Sequence, residues 1–375
     1  MNSISGIRLS KLRTVLADKN LDAILISTPS NLTYLTSYPF EKDDREAFIV
    51  ITKSKAYCIA SPLIKDEIKK LVPNFIFLSP PFSQTIKDVA RKDSLKKIGV
   101  EADNLTLSEY KSMKMPSTKL IPLILTTLRD VKDKDEIAAI EKACQIGDDA
   151  YEYIVKEIRP GMSEKDIAFL LDTFVRQQGT DISFRTIIAF GKNAAIPHHI
   201  SDDTKLKNKD IILLDFGAKY NNYCSDMSRT IFVGKPTDEE KKAYETVRIA
   251  QEKAIEYLSK RHSELDSESQ DRSRIKSGMT GVDAKSVDKI AREYIVSQGY
   301  PEYPHSLGHS IGIDVHDGFR ISPTSENNLI RQMVFSIEPG IYLSQKFGIR
   351  IEDIVVLEKN GPRFLTKSPR TLTVI

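Results

Sequence analysis

Four acidic residues in the C-terminal two thirds of the chain stand where apolar, strand-like runs end. That pattern constrains the fold and chemistry more than any other feature. Asp215 follows Asp210-Ile-Ile-Leu-Leu214 and precedes Phe216-Gly217. Asp226 comes eleven residues later, in Tyr223-Cys-Ser-Asp-Met-Ser-Arg-Thr230, a spacing that suits a hairpin returning the second carboxylate beside the first. Glu338 ends the apolar run of Phe335-Ser-Ile-Glu-Pro-Gly340. Glu352 lies in Gly348-Ile-Arg-Ile-Glu-Asp353, where strand alternation puts Arg350 and Glu352 on one face. An acid at the end of a buried strand is costly unless it is paired or bound to metal. One such acid is an ordinary paired carboxylate; four in one half of a chain form a candidate site.

The histidines fall in the same region. Of six, five occupy three places: His198 with His199, His305 with His309, and His316. The run Pro304-His-Ser-Leu-Gly-His309 continues through Gly312 and Asp314 to His316. Gly308 and Gly312 are expected to let the backbone pass close to a ligand. The sixth, His262, lies in a polar stretch and reads as an ordinary surface or core histidine.

The 375 residues suggest more than one domain. Residues 1–125 alternate helical and strand patterns and predict a small α/β domain. Strand-length apolar runs appear at Ala23–Ser27, Ala47–Ile51, Tyr57–Ala60, Phe75–Leu78 and Ile98–Val100, with amphipathic stretches at 62–71 and 83–92. A charged stretch, Arg129–Glu136, opens a long helix whose stripe runs Ile137, Ile140, Cys144, Gly147, Tyr151, Ile154, Ile158. Pro160-Gly161 ends it, and the domain boundary is placed at about 125–135. A weak repeat follows: Pro160-Gly-Met-Ser163 and Ser277-Gly-Met-Thr280 each precede a helix pattern, with Ser or Thr as the expected cap. Residues 260–276 are polar and Ser-rich, and read as an exposed insertion or helix extension.

Composition excludes several classes. A net charge of +3 gives no field for nucleic acid or anionic membrane. No apolar run is long enough for a transmembrane helix, and the N-terminus lacks the pattern of a secretory signal. Three scattered cysteines suggest neither a disulfide framework nor a thiolate zinc site, so a reduced, cytoplasmic protein is expected.

Taken together, Asp215-Phe-Gly-Ala, Tyr223-Cys-Ser-Asp-Met-Ser-Arg-Thr230, His305-Ser-Leu-Gly-His-Ser-Ile-Gly-Ile-Asp-Val-His316, Ser336-Ile-Glu-Pro-Gly340 and Arg350-Ile-Glu-Asp353 resemble the metallopeptidases that include Xaa-Pro dipeptidase (prolidase), aminopeptidase P and methionine aminopeptidase. The resemblance covers about residues 130–375 and keeps five ligand types in order. It implies an α/β (α+β) chain: a pita-bread catalytic domain over 130–375 with pseudo-twofold symmetry, preceded by a creatinase/prolidase-type α/β domain over 1–125. The 260–276 segment departs from the family pattern and reads as a polar insertion.

By the resemblance, Asp226 and Glu352 bridge two divalent ions, Asp215 chelates one, and His309 with Glu338 complete the other. A metal-bridging hydroxide would attack the peptide bond before proline. Glu338 would double as acid/base, and His316 would meet the substrate carbonyl. His198, close to the family's offset for a substrate-binding histidine, is preferred to His199. His305 and Arg350 would line the proline side of the pocket, with Arg350 meeting a dipeptide carboxylate. Oxygen-rich ligation favours Mn²⁺, with Co²⁺, Fe²⁺ or Zn²⁺ admitted. Short proline-containing peptides are the expected partners, and a homodimer is expected. The alternatives are a methionine-type or broader aminopeptidase, a metal-free creatinase-like hydrolase, and a binding protein of the same fold. Dipeptidase and aminopeptidase P remain undivided.

Overall fold

The computed structural model describes residues 4–41, 45–269 and 281–375. Two compact units divide between Leu128 and Arg129.

The N-terminal unit is a six-stranded sheet flanked by helices α1 (Ile4–Asp18), α2 (Pro29–Thr36), α3 (Lys65–Leu71), α4 (Phe82–Lys92) and α5 (Leu107–Met113). Its strands are β1 (Ala23–Ile26), β2 (Ala47–Thr52), β3 (Ala56–Ala60), β4 (Ile76–Leu78), β5 (Lys97–Glu101) and β6 (Lys119–Leu123), ordered β4-β3-β2-β1-β5-β6. The five apolar runs read from the sequence all lie on strands. The sixth strand, Lys-Leu-Ile-Pro-Leu, escaped that reading because proline argues against a strand. It sits at the sheet edge, where a missing N–H costs no ladder bond.

The second unit opens with α6 (Lys134–Glu157). Asp133 caps it: its carboxylate accepts from Glu136 N while Glu136 reaches back to Asp133 N, each at 2.8 Å. The expected stripe is the buried one, with Ile140, Cys144, Gly147, Tyr151 and Ile154 all inside. The helix stops before Pro160, and Gly161 adopts φ +93°, a left-handed value that favours glycine. Next, α7 (Glu164–Gln177) is capped by Ser163, as the repeat predicts.

The matching prediction for the second repeat fails. Ser277–Thr280 lie outside the described residues, and α9 (Ala284–Ser297) is capped by Asp283, which accepts from Lys285 N and Ser286 N.

Helix α8 (Asp238–Ser269) runs through the first part of the polar stretch, the helix extension that is one of its two expected forms, and residues 270–276 lie outside the described set. Ala243, Val247, Ala250, Ala254 and Leu258 form its buried stripe. His262, four residues on, continues that stripe and is only 6% exposed. Helical period, not local polarity, decides where His262 points.

Two apolar cores sit on either side of a four-stranded sheet ordered Thr373–Val374, Met227–Phe232, Ile211–Phe216, Ile187–Phe190. Alternation splits the strand Ile211–Phe216 between them. Ile212, Leu214 and Phe216 pack with α6 and α7, whereas Ile211 and Leu213 pack with α8 and α9. Each such buried side chain contributes roughly 1.5–3 kcal/mol. The α8–α9 core also holds Phe335 and Ile337 of the strand Val334–Ile337, and Val355 and Leu357 of Asp353–Glu358. Thus a helix pair followed by antiparallel strands occurs twice.

Candidate metal centre

Parity places the first two acids. Asp215 shares the face of Ile211 and Leu213, at the end of its strand. The antiparallel partner Met227–Phe232 pairs Ser228 with Asp215 and Met227 with Phe216. Asp226 precedes that strand on the same parity as Ser228. The hairpin therefore brings both carboxylates to one side, as their spacing suggests. Both are buried.

His309 and Glu338 come from two segments that run antiparallel. Glu338 N donates to Leu307 O at 2.7 Å, and Ile311 N donates to Val334 O at 3.1 Å. Between these bonds Gly308 meets Ser336: a Cβ at 308 would lie 1.8 Å from the Ser336 carbonyl oxygen. This corrects the expectation that Gly308 and Gly312 make room for a ligand. They make room for backbone and for the Asp317 carboxylate respectively. The result sets His309 Nε2 3.3 Å from Glu338 Oε1 and 3.7 Å from Asp226 Oδ2.

Glu352 enters from the opposite side. Its backbone N donates to Ser228 O at 3.0 Å, and its Oε2 accepts from Ser228 Oγ at 2.7 Å. Asp226, His309 and Glu352 each present a ligand atom within 4.8 Å of the others. Arg350 ties Asp215 to this group. It donates to Asp215 Oδ2 at 2.5 Å, Ser228 Oγ at 2.8 Å, Tyr342 OH at 2.8 Å and Pro197 O at 3.4 Å. Four of its five N–H groups are thereby engaged, whereas a two-pronged grip on a substrate carboxylate needs two.

The electrostatics show what this set lacks. Burial, then the neighbouring Glu352 and Asp215, holds the Asp226 carboxyl far above its ordinary range. Burial, then Glu338, does the same to Glu352. Glu338 is pushed up to about 8, chiefly by burial, with Arg350 opposing the rise. His309 is pushed down to about 3 by burial and then by His316. Its Nδ1 faces Ser310 O at 3.2 Å, which assigns the proton there and leaves the Nε2 lone pair facing two carboxylates. Asp226 Oδ1 and Glu352 Oε1 are buried without a hydrogen-bond partner. Carboxyls so crowded that burial drives them to hold protons, with an imidazole lone pair facing them, fit cations that would take the protons' place, and the hard oxygen donors with one imidazole suit divalent ions.

A second His-carboxylate cluster, Glu164, His199 and Asp202, lacks this character. The Glu164 oxygens already accept from Phe190 N, Asn193 Nδ2, His199 Nε2 and Asp202 N. His198, by contrast, is exposed. His305 is pushed down to about 4 by burial and then Arg350. Its Nε2 is 2.9 Å from Tyr342 OH. His316 is exposed and stacks edge-on against His309, with centroids 4.3 Å apart. Sequence reasoning missed Ser228 and Tyr342 as members of this network. Ser228 stood inside a quoted motif, two residues past Asp226 on the same strand face; Tyr342 carried no signal.

Buried carboxylates and an imidazole held at strand ends by a two-core helix-and-strand scaffold mark a protein built around a candidate divalent-metal centre. Residues 138–359 match metallopeptidase family M24, and residues 8–131 match the Creatinase/Prolidase N-terminal domain. The chain is 34% identical over 375 residues to an Xaa-Pro dipeptidase of Pyrococcus furiosus, covering 97% of this chain and 99% of that protein. The fold is similar to an Xaa-Pro dipeptidase from Bacillus anthracis, with TM-score 0.87 and 30% identity, covering 99% of this chain and 100% of that one. An X-Pro aminopeptidase from Thermotoga maritima gives TM-score 0.82 at 33% identity, covering 95% and 98%. The chain belongs to metallopeptidase family M24, in the Xaa-Pro peptidase group that joins a pita-bread catalytic domain to a creatinase/prolidase-type N-terminal domain. It is a peptidase of a family that binds divalent metal.

Proposed function

We propose that this chain hydrolyses the peptide bond before proline in short peptides, using two divalent metal ions. The carrying observation is the converging set of carboxylates and imidazole with two orphaned oxygens, in a chain that matches an Xaa-Pro dipeptidase end to end. Asp215, Asp226, His309, Glu338 and Glu352 are the residues that would hold the ions. When bound, such ions polarise a carbonyl and lower the pKa of water from about 15.7 towards about 7.

The chain's own groups do the rest. Glu338, whose Oε1 lies 3.3 Å from His309 Nε2, takes a proton from the attacking water and delivers it to the departing proline nitrogen. His198 and His316 hold the substrate carbonyl and the charge that develops on it. His305 and Tyr342 form a wall for the pyrrolidine ring, and His305 stays neutral there because burial disfavours its charge. Arg350 lines the same side and braces Asp215 and the Pro197 carbonyl.

Mn²⁺ is the proposed metal, from the oxygen-rich donor set. A cytoplasmic homodimer is proposed. Its compartment is supported by three free cysteines, Cys58, Cys144 and Cys224, all buried. No helix among the described residues is long and apolar enough to cross a membrane. The likeness to an X-Pro aminopeptidase supports a second reading, release of the first residue from longer Xaa-Pro peptides.

The test is cleavage of Ala-Pro, Ala-Ala, an Ala-Pro tripeptide and Met-Ala-Ser with Mn²⁺ or Co²⁺, alongside metal analysis. Cleavage of Ala-Pro far faster than Ala-Ala is expected. Release of Met from Met-Ala-Ser with no cleavage before proline overturns the reading in favour of a methionine-type enzyme.

A further inference from the structure

We infer that Glu164 is a positioning residue for the reaction: through His199 it holds the turn that presents His198 to the substrate. The inference rests on the proposed role of His198.

Glu164 is completely buried in the first turn of α7, and its carboxylate is surrounded by donors. Oε1 accepts from Phe190 N at 2.8 Å and Asn193 Nδ2 at 2.9 Å. Oε2 accepts from His199 Nε2 at 2.7 Å and Asp202 N at 2.9 Å. These donors span the whole segment 190–202. The position next to the helix N-terminus favours the negative charge, which strengthens each bond.

Other anchors hold the two ends of that segment: Ala194 is buried in the core, and Ser201 Oγ accepts from Ile188 N at 2.8 Å and donates to Ile188 O at 3.1 Å. Between them Ile196 is 53% exposed and Ile200 is 61% exposed, so apolar burial does not anchor the turn around His198. His199 N closes it by donating to Ile196 O at 3.1 Å. One residue before His198, the Pro197 carbonyl accepts from Arg350 at 3.4 Å. One residue after it, the His199 ring bonds to Glu164. His198 is thus gripped by its two neighbours, from the metal centre on one side and from α7 on the other. The adjacent histidines have divided roles: His199 is spent on the scaffold, and His198 is left for substrate.

The test is a double-mutant cycle on the Mn²⁺-loaded, full-length enzyme with Ala-Pro as substrate. Glu164→Gln removes the charge and turns one accepting oxygen into a donor. It is expected to lower kcat/KM by roughly tenfold or more while metal content stays unchanged, because small displacements of a substrate-holding group are costly. In a His198→Ala background the same change is expected to cost less than about twofold, since the group being positioned is gone. His199→Gln, which keeps a donor for Glu164, is expected to stay near wild type, and His199→Leu to behave like Glu164→Gln. If Glu164→Gln does not fold, the His199→Leu and His198→Ala cycle carries the test. Equal losses in both backgrounds, or a fully active His199→Leu, overturn the inference. Undiminished Ala-Pro cleavage by His198→Ala removes the reading of His198 itself, and the inference with it.

Discussion

Arg350 donates to Asp215 across 135 positions of sequence, at 2.5 Å and with both side chains largely buried. Burial alone would lower the guanidinium pKa, but Tyr342 and Asp215 hold it above the ordinary value. The same group reaches Ser228, Tyr342 and Pro197, a spread that only a planar fork can cover. Arg350→Lys is therefore expected to raise KM or lower kcat for Ala-Pro, by about tenfold or more, with metal content retained. Charge-assisted bonds of this kind are worth about 1.5–3 kcal/mol each. Loss of bound metal without a selective kinetic defect would show that the guanidinium serves only to neutralise the carboxylates.

Asp226→Ala and Glu352→Ala should each strip the bound metal, because both stand at the centre of the converging donors. Each residue has one buried oxygen with no protein partner. Metal per chain is the measurement, and two tightly held ions in either variant would sink the assignment.

Glu338→Gln should cut kcat by about 10²–10⁴-fold, the usual worth of a positioned acid/base. Pre-steady-state turnover at saturating Mn²⁺ separates this from metal loss. A near-normal rate would take the proton-transfer role away from Glu338.

Metal loading should release protons near pH 7. In the metal-free chain, burial raises Asp226 and Glu352 and lifts Glu338 to about 8, so protons sit where ions must go. His309, pushed down to about 3, is already neutral and adds none. Titration calorimetry in buffers of different ionisation heat should show at least about one proton released per chain. The stability sign follows: raised folded pKa values help the metal-free chain at acid pH, and that help is lost as pH rises through about 8. Chelation should therefore lower Tm more at pH 8.5 than at pH 6.

Asp130 offers a control away from the ligands. Burial lifts its carboxyl to about 6 against the pull of Lys132, and its Oδ1 has no partner. Its contribution is present below the ordinary carboxylate range and lost as pH rises through about 6. Asp130→Asn should become the more stable protein towards pH 7, by at most about 3 kcal/mol. Thermal melts at pH 4.5 and 7 check this; an unchanged difference would refute it.

The acids that converge in the candidate centre were legible because strand parity and apolar runs are local properties. Asp215, Asp226 and Glu352 advertise themselves as acids where leucine or isoleucine is expected. The helix stripe of α6 was legible for the same reason. What escaped depends on partners remote in sequence. Glu164 reads as an ordinary first-turn acid until His199, 35 positions away, bonds to it. Tyr342 joins the site only through His305 and Arg350. Pro122 hid an edge strand, and His262 hid its burial behind polar neighbours. In each case tertiary packing overrode local composition.

The contact between Gly308 and the Ser336 carbonyl has a consequence for redesign. Main chain meets main chain there, so the gap between the backbones that carry His309 and Glu338 is as stiff as the peptide units themselves. Exchanging one ligand side chain for another would alter chemistry without altering that gap. Fitting the centre to an ion of different radius would require moving a whole strand, and the neighbouring core would resist it.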